Sequence, residues 1–157
     1  MSKRSTHHAT FVIERTYAAS PARVFAAWAD PEAKARWFVG PDEWAQGGHE
    51  FDFRIGGRER VSGGPQGGPI HAFDAIYQDI VPDERIIYSY DMHLDDARTS
   101  VSLTTVEFKA EGDGTRLVFT EQGAFLDGVD NPAERENGTR GLLDKLEAEV
   151  RREPATA

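Results

Sequence analysis

The 157-residue sequence predicts an α+β fold: an antiparallel sheet of six to seven strands, two short helices after the first strand, and a long C-terminal helix. Three observations carry this. Alternating runs separated by short turns fill residues 44–123, and strands joined in that way pair antiparallel. Two proline-started helical segments stand between the first strand and those runs. The last segment carries leucines at helical spacing, the cover that a sheet with one apolar face requires.

Residues 10–17, TFVIERTY, place Phe11, Ile13, Arg15 and Tyr17 in one row and Val12, Glu14 and Thr16 in the other, which predicts a strand. The preceding MSKRSTHHAT reads as a loosely ordered lead-in. Ser20-Pro21 then offers a cap and a preset first turn, and Val24, Phe25 and Trp28 share one helical face. Asp30-Pro31 repeats the signal for a second short helix running to about Trp37. His49, Phe51, Phe53 and Ile55 alternate with Glu50, Asp52 and Arg54 until Gly56-Gly57 breaks the run. Residues 58–62 read as a returning edge strand, and GGPQGGP (63–69) as a flexible connection. Residues 71–81 are apolar on both parities, so their facing stays open. Pro82-Asp83 turns the chain into RIIYSYDMH, where Ile86, Tyr88, Tyr90 and Met92 share a row. The clearest hairpin joins SVSLTTVEFKA to TRLVFTEQG through EGDG (111–114).

Asn131-Pro132-Ala133-Glu134 supplies a cap, a first-turn proline and a capping-box acid for a helix reaching about Glu153. Leu142, Leu143, Leu146 and Val150 form a stripe on its second half; Arg135 and Thr139 continue it upstream, with Gly138 at its edge. Gly138 and Gly141 each cost about 1 kcal/mol against alanine in a helix interior. Two readings follow: the upstream half roofs a hollow, or it simply faces water.

Composition bounds the function. One domain over residues 1–157, with a core at about 9–152, suits this length, and no repeat or interdomain linker interrupts it. Cysteine is absent, which removes disulfides, thiolate metal sites and thiol nucleophiles and fits a cytoplasmic location. A net charge of −9 repels phosphate backbones, so no nucleic acid is expected as partner. No run approaches the ~20 apolar residues that cross a bilayer, so no stable membrane insertion is expected, and no signal-peptide core follows the first residues.

Four motifs in order resemble the branch of the START-like (SRPBCC) helix-grip superfamily named for the activator of Hsp90 ATPase. They are the opening IERTYAASPARVFAAWADPEAKARWF, the strand end FDFRIGG (51–57), the turn YQDIVPDERIIYS (77–89) and the return GTRLVFTEQG (114–123). The resemblance covers about residues 9–152. It implies a curved sheet wrapped around the long C-terminal helix, with a cavity between them and the first and last strands adjacent. The branch usually carries Gly-Trp in the final helix, whereas ENGTRGLLDKLEAEV has Thr139 in that place, which would enlarge the space beneath.

On this frame the inward rows place Phe51, Phe53, Tyr88, Tyr90, Met92 and Phe119 around the cavity. Trp37, Phe38 and Trp44 stand near its entrance, and His49 shares the row of Phe51 and Phe53. Tyr88, Tyr90 and Glu121 would be polar handles, with Arg135 and Thr139 shaping the upstream end. Adjacent first and last strands would let Arg15 meet Glu121, as a structural pair or as a ligand-orienting one. Asp52 and Arg54 fall on the solvated parity. Asp91 and His93 share a strand face but lack a third metal ligand, and the other histidines, His7, His8 and His71, fit surface or hydrogen-bonded roles. GGPQGGP lacks the Lys-Ser/Thr ending of a phosphate loop, and there is no GxSxG elbow.

The expected function is binding of a small hydrophobic or aromatic molecule, with no cofactor and no metal. Two alternatives stand beside it. One is a chaperone-associated module with an Hsp90-type partner and a stress-response role. The other is a cofactor-free cyclase or hydrolase using His49 or Glu121. A homodimer through a sheet edge or helix stays open.

Overall fold

The structure is a computed structural model that describes residues 4–152. In chain order the elements are β1 (Thr6–Tyr17), α1 (Pro21–Ala29), α2 (Pro31–Trp37) and β2 (Ala45–Phe51), followed by β3 (Arg58–Gly64), β4 (His71–Val81) and β5 (Arg85–Leu94). Then come β6 (Ala97–Glu111), β7 (Gly114–Leu126) and α3 (Pro132–Arg151). The strands form one seven-stranded antiparallel sheet in the order β1-β7-β6-β5-β4-β3-β2. Five successive hairpins build most of it, and β1 crosses over to pair with β7 from Thr6↔Leu126 to Tyr17↔Thr115. Register shifts between Gln46 and His49, Tyr77 and Asp79, and Met92 and His93 bend individual strands, and the sheet curves.

The local signals behave as their chemistry requires. The Ser20 hydroxyl accepts from the Arg23 N–H, and the Asp30 carboxylate accepts from the Ala33 N–H, each with proline in the first turn. Asp30 thus ends α1 and caps α2. The β6–β7 loop uses Gly112 at φ 58°, a left-handed backbone that a side chain would oppose. Asn131 caps α3 by accepting from Ala133 and Glu134 N–H groups. Asp130, rather than Glu134, accepts the Asn131 N–H at 2.8 Å, so the expected reciprocal capping box is replaced by a neighbouring carboxylate.

Four expectations change. Strand β1 begins at Thr6, because the expected lead-in is held by pairing to β7; residues 1–3 and the expected helix end at Glu153 lie outside the described residues. Strand β2 stops at Phe51, since the backbone turns through Gly56 (φ 84°) to return as β3; Ile55 is exposed there. The 58–62 strand is interior: β3 bonds β2 on one side and β4 on the other, and β2 is the edge. Arg15 does not meet Glu121. The register sets Glu121 opposite Phe11 and Arg15 opposite Leu117, and Arg15 turns instead to Asp144 and the Arg140 carbonyl on α3.

The core gathers Trp28 and Trp37 of the short helices, in edge contact at 4.8 Å, against Phe108 and Phe119 of the sheet. The downstream half of α3 is anchored on this core by buried Leu143, Leu146 and Val150. Polar clamps hold it there: the Tyr17 hydroxyl donates to the Leu143 carbonyl at 3.1 Å, and the Arg36 guanidinium grips Glu149 at 2.9 and 2.7 Å. The upstream half has no such leucines and stands over the concave face of the sheet. A Cβ added at Gly138 or Gly141 would meet nothing within 4 Å, so close packing does not explain either glycine. Each Gly→Ala change is therefore expected to stabilise the fold by about 1 kcal/mol, or about 2–4 °C in Tm, measured by thermal unfolding.

Candidate functional site

Between the upstream half of α3 and the sheet lies a pocket of about 600 Å³. The helices and the following loop contribute Trp37, Phe38 and Trp44, with Trp28 behind them. The sheet contributes Phe73, Tyr88, Tyr90, Met92, Phe119 and Glu121. Helix α3 contributes Arg135, Gly138, Thr139, Gly141, Leu142 and Lys145. Pro41, Gln46, Gly138 and Gly141 are exposed and mark where the pocket opens to solvent. The Lys145 ammonium donates to the Val39 and Gly40 carbonyls at 3.1 and 3.0 Å, tying α3 to the loop that walls the opening. On the opposite wall the Trp44 indole stacks on the His71 ring at 4.5 Å.

One end of the pocket is polar. Glu121 is 2% exposed; the Tyr90 hydroxyl donates to it at 2.7 Å and the Thr104 hydroxyl at 3.2 Å. Arg135, on the first turn of α3, approaches it to 3.5 Å while donating to the Tyr90 oxygen (2.9 Å), the Ser100 hydroxyl (2.8 Å) and the Asp130 carboxylate. The guanidinium also lies 5.1 Å from the Phe125 ring centre. Burial pushes the Glu121 carboxyl above the ordinary carboxylate range, against the opposing pull of the Tyr90 hydrogen bond and the Arg135 charge. Burial likewise raises Tyr90, so its phenol stays protonated and donates. A carboxyl whose folded pKa is raised binds its proton more tightly in the folded chain. Its contribution is full below the unfolded value and is lost as pH rises through the folded value. Glu121→Gln should flatten that decline, read as the urea midpoint at pH 5 and pH 8.

Three expected residues lie elsewhere. His49, Phe51 and Phe53 flank a second buried cluster, because β2 ends early and its inward row faces α2 rather than α3. There the Lys34 ammonium meets Glu59 at 2.7 Å, Tyr77 donates to the same carboxylate at 2.7 Å, and His49 contacts its other oxygen at 2.9 Å. Lys34 also sits 4.2 Å from the Phe38 ring centre and 5.4 Å from those of Trp28 and Phe51. Burial pulls the Lys34 pKa down; it also opposes ionisation of Glu59, but Lys34 and the His49 and Tyr77 hydrogen bonds outweigh it and hold that carboxyl low. Asp52 and Arg54 pair on the solvated side, as expected. Asp91 pairs with Arg98, and no group of three metal-ligating side chains occurs among the described residues.

Sequence reasoning missed His71, Phe73, Lys145 and the polar row Ser100, Ser102 and Thr104 on β6. On β6 the usual alternation is inverted: Val101 and Leu103 are exposed while Ser102 and Thr104 are buried. That inversion is a usable signal once the facing of the strand is known.

A curved antiparallel sheet gripping a long C-terminal helix defines the helix-grip class of the START-like (SRPBCC) superfamily. Within it, the chain belongs to the Activator of Hsp90 ATPase homolog 1-like protein family, whose profile matches residues 18–151. The crystal structure of Mll3558 from Rhizobium loti is similar at 54% identity and TM-score 0.86, over 92% of this chain and 99% of that one. A putative uncharacterized protein from Rhizobium leguminosarum is similar at 52% identity and TM-score 0.91, over 96% and 99%. The AHSA1-like protein from Aeromonas hydrophila shares the fold at 23% identity and TM-score 0.67, over 91% and 92%. No curated protein matches the chain. No helix among the described residues is long and apolar enough to cross a membrane.

Proposed function

We propose that this protein binds a small, largely aromatic or apolar molecule in the pocket between the sheet and the upstream half of α3. The observation that carries the reading is a pocket of about 600 Å³ walled by aromatic rings, with a Glu121–Arg135–Asp130 cluster at one end and Lys145 at its opening. Ligand sites of roughly 300–1,000 Å³ with a few convergent polar groups have this character. The anchoring of α3 through its downstream half supports the reading, since it holds the roof without filling the space. Titration with the neutral fluorescent probe N-phenyl-1-naphthylamine tests it. Saturable enhancement with a rise in Tm is expected; no enhancement and no shift would overturn it.

The acid–base alternative loses one of its two groups, because His49 contacts Glu59 outside the pocket. The chaperone alternative draws on the family name alone. Stimulation of a bacterial Hsp90 ATPase by a protein that binds no aromatic probe would favour it.

A further inference from the structure

The polar end of the pocket is asymmetric in a way that selects among aromatic ligands. Its one cation and most of its hydroxyls are spent on the protein itself, the Ser102 hydroxyl being a buried donor without a partner. Both Nη2 contacts of Arg135 go to Ser100 and Asp130, and Nη1 goes to Tyr90. The Tyr90 and Thr104 hydroxyls donate to Glu121, and the Thr139 hydroxyl donates to the Arg135 carbonyl at 3.0 Å. Lys145 is turned to the carbonyls of Val39 and Gly40. The acceptor side is not exhausted. A carboxylate offers about four lone-pair sites. At Glu121 one oxygen receives Thr104 alone, and the other receives Tyr90 with Arg135 at 3.5 Å.

Charge points the same way. The titratable groups at this end are Glu121 from β7, Tyr90 from β5, Asp130 ahead of α3 and Glu134 and Arg135 on the first turn of α3, with Tyr88 adjacent on β5. The one cation here is closest to Asp130, so acids outnumber it and Glu121 is the buried one it does not neutralise directly. The faces of Tyr88, Tyr90 and Phe73 beside it are electron-rich and favour a cation or a polarised N–H over an anion.

Resting on the pocket reading above, we infer that the occupant is an aromatic molecule whose polar head donates hydrogen bonds, an amine or a phenol, with Glu121 accepting from it and aromatic acids discriminated against. A carboxylate head would meet Glu121 across the same space and find the Arg135 fork already committed to Asp130, Ser100 and Tyr90. An ammonium or phenolic O–H would instead occupy a lone pair of Glu121 without displacing a protein hydrogen bond.

A matched set on one ring system tests the inference at pH 7.5. The compounds 1-naphthylmethylamine, 1-naphthol and 1-naphthoate are each used to displace N-phenyl-1-naphthylamine from the wild-type protein. The amine and the naphthol should compete at least tenfold better than the acid. Naphthoate competing as well as either would overturn the inference while leaving the pocket reading intact. Failure of N-phenyl-1-naphthylamine itself to bind would remove the pocket reading first. Glu121→Gln supplies a second arm: the amine should lose its advantage, and naphthoate should gain. An unchanged order of affinities in a folded Glu121→Gln protein also overturns the assignment to this carboxylate.

Discussion

Glu59→Ala is expected to cost about 3–5 kcal/mol of folding stability, the range for breaking one partner of a buried ion pair. Glu59 and Lys34 are each 1% exposed and meet at 2.7 Å. Removing the carboxylate strands an ammonium among the rings of Trp28, Trp37, Phe38 and Phe51, and it orphans the Tyr77 hydroxyl and the His49 ring nitrogen. A stranded buried charge is worse than no charge, so the double change Lys34→Met with Glu59→Leu should recover most of the loss. Urea unfolding followed by circular dichroism measures all three proteins. A Glu59→Ala protein within 1 kcal/mol of wild type would show that the pair is dispensable. The pH response has the opposite sign to that of Glu121. The Glu59 pKa is lowered by folding, so its contribution is full above the ordinary carboxylate value and is lost as pH falls through the folded one.

That cluster was invisible in the sequence for a physical reason. Lys34 in PEAKARW and Glu59 in RERV look like solvated positions, since lysine and glutamate are almost never fully buried unless paired. Their pairing is made by tertiary contact between α2 and β3, 25 residues apart, and no local period encodes it. The strand at 58–64 is interior because β2 pairs along its outer side, and His49 of β2 adds a contact to Glu59.

Elements with strong local chemistry were legible. Ser20-Pro21, Asp30-Pro31 and Asn131-Pro132 each begin a helix, and the alternation of Ile86, Tyr88, Tyr90 and Met92 sets the inward row of β5. The stripe of α3 correctly divided the helix into a packed half and an unpacked one. The pocket wall was legible wherever an aromatic row and a regular strand coincided. It was not legible at Phe53, where the strand had already ended, nor at β6, where serine and threonine face inward and valine and leucine face out. Such conflicts between pattern and position collect where the interior is polar, here around Glu121 and Arg135. Arg15 shows the converse limit: its row was right, but a long side chain on an edge strand reached α3 instead of crossing the sheet.

Thr139→Trp should weaken aromatic binding by taking up part of the pocket from its roof. Thr139 is 7% exposed, lines the pocket and returns its hydroxyl to the Arg135 carbonyl one turn back, so its side chain contributes little packing to the fold. An indole at this position enters space already bounded by rings and restores the Gly-Trp pattern that the final helix of this branch usually carries. Burying a large aromatic contributes roughly 1.5–3 kcal/mol, so Tm should hold or rise, whereas affinity for N-phenyl-1-naphthylamine should fall at least tenfold. The combination is diagnostic. Lost binding with a lowered Tm would point to a disrupted fold, which Gly138→Leu at the pocket rim then separates, because that site is open and a side chain there obstructs entry without entering the core. Undiminished binding in a folded Thr139→Trp protein would show that the ligand does not contact the roof at Thr139.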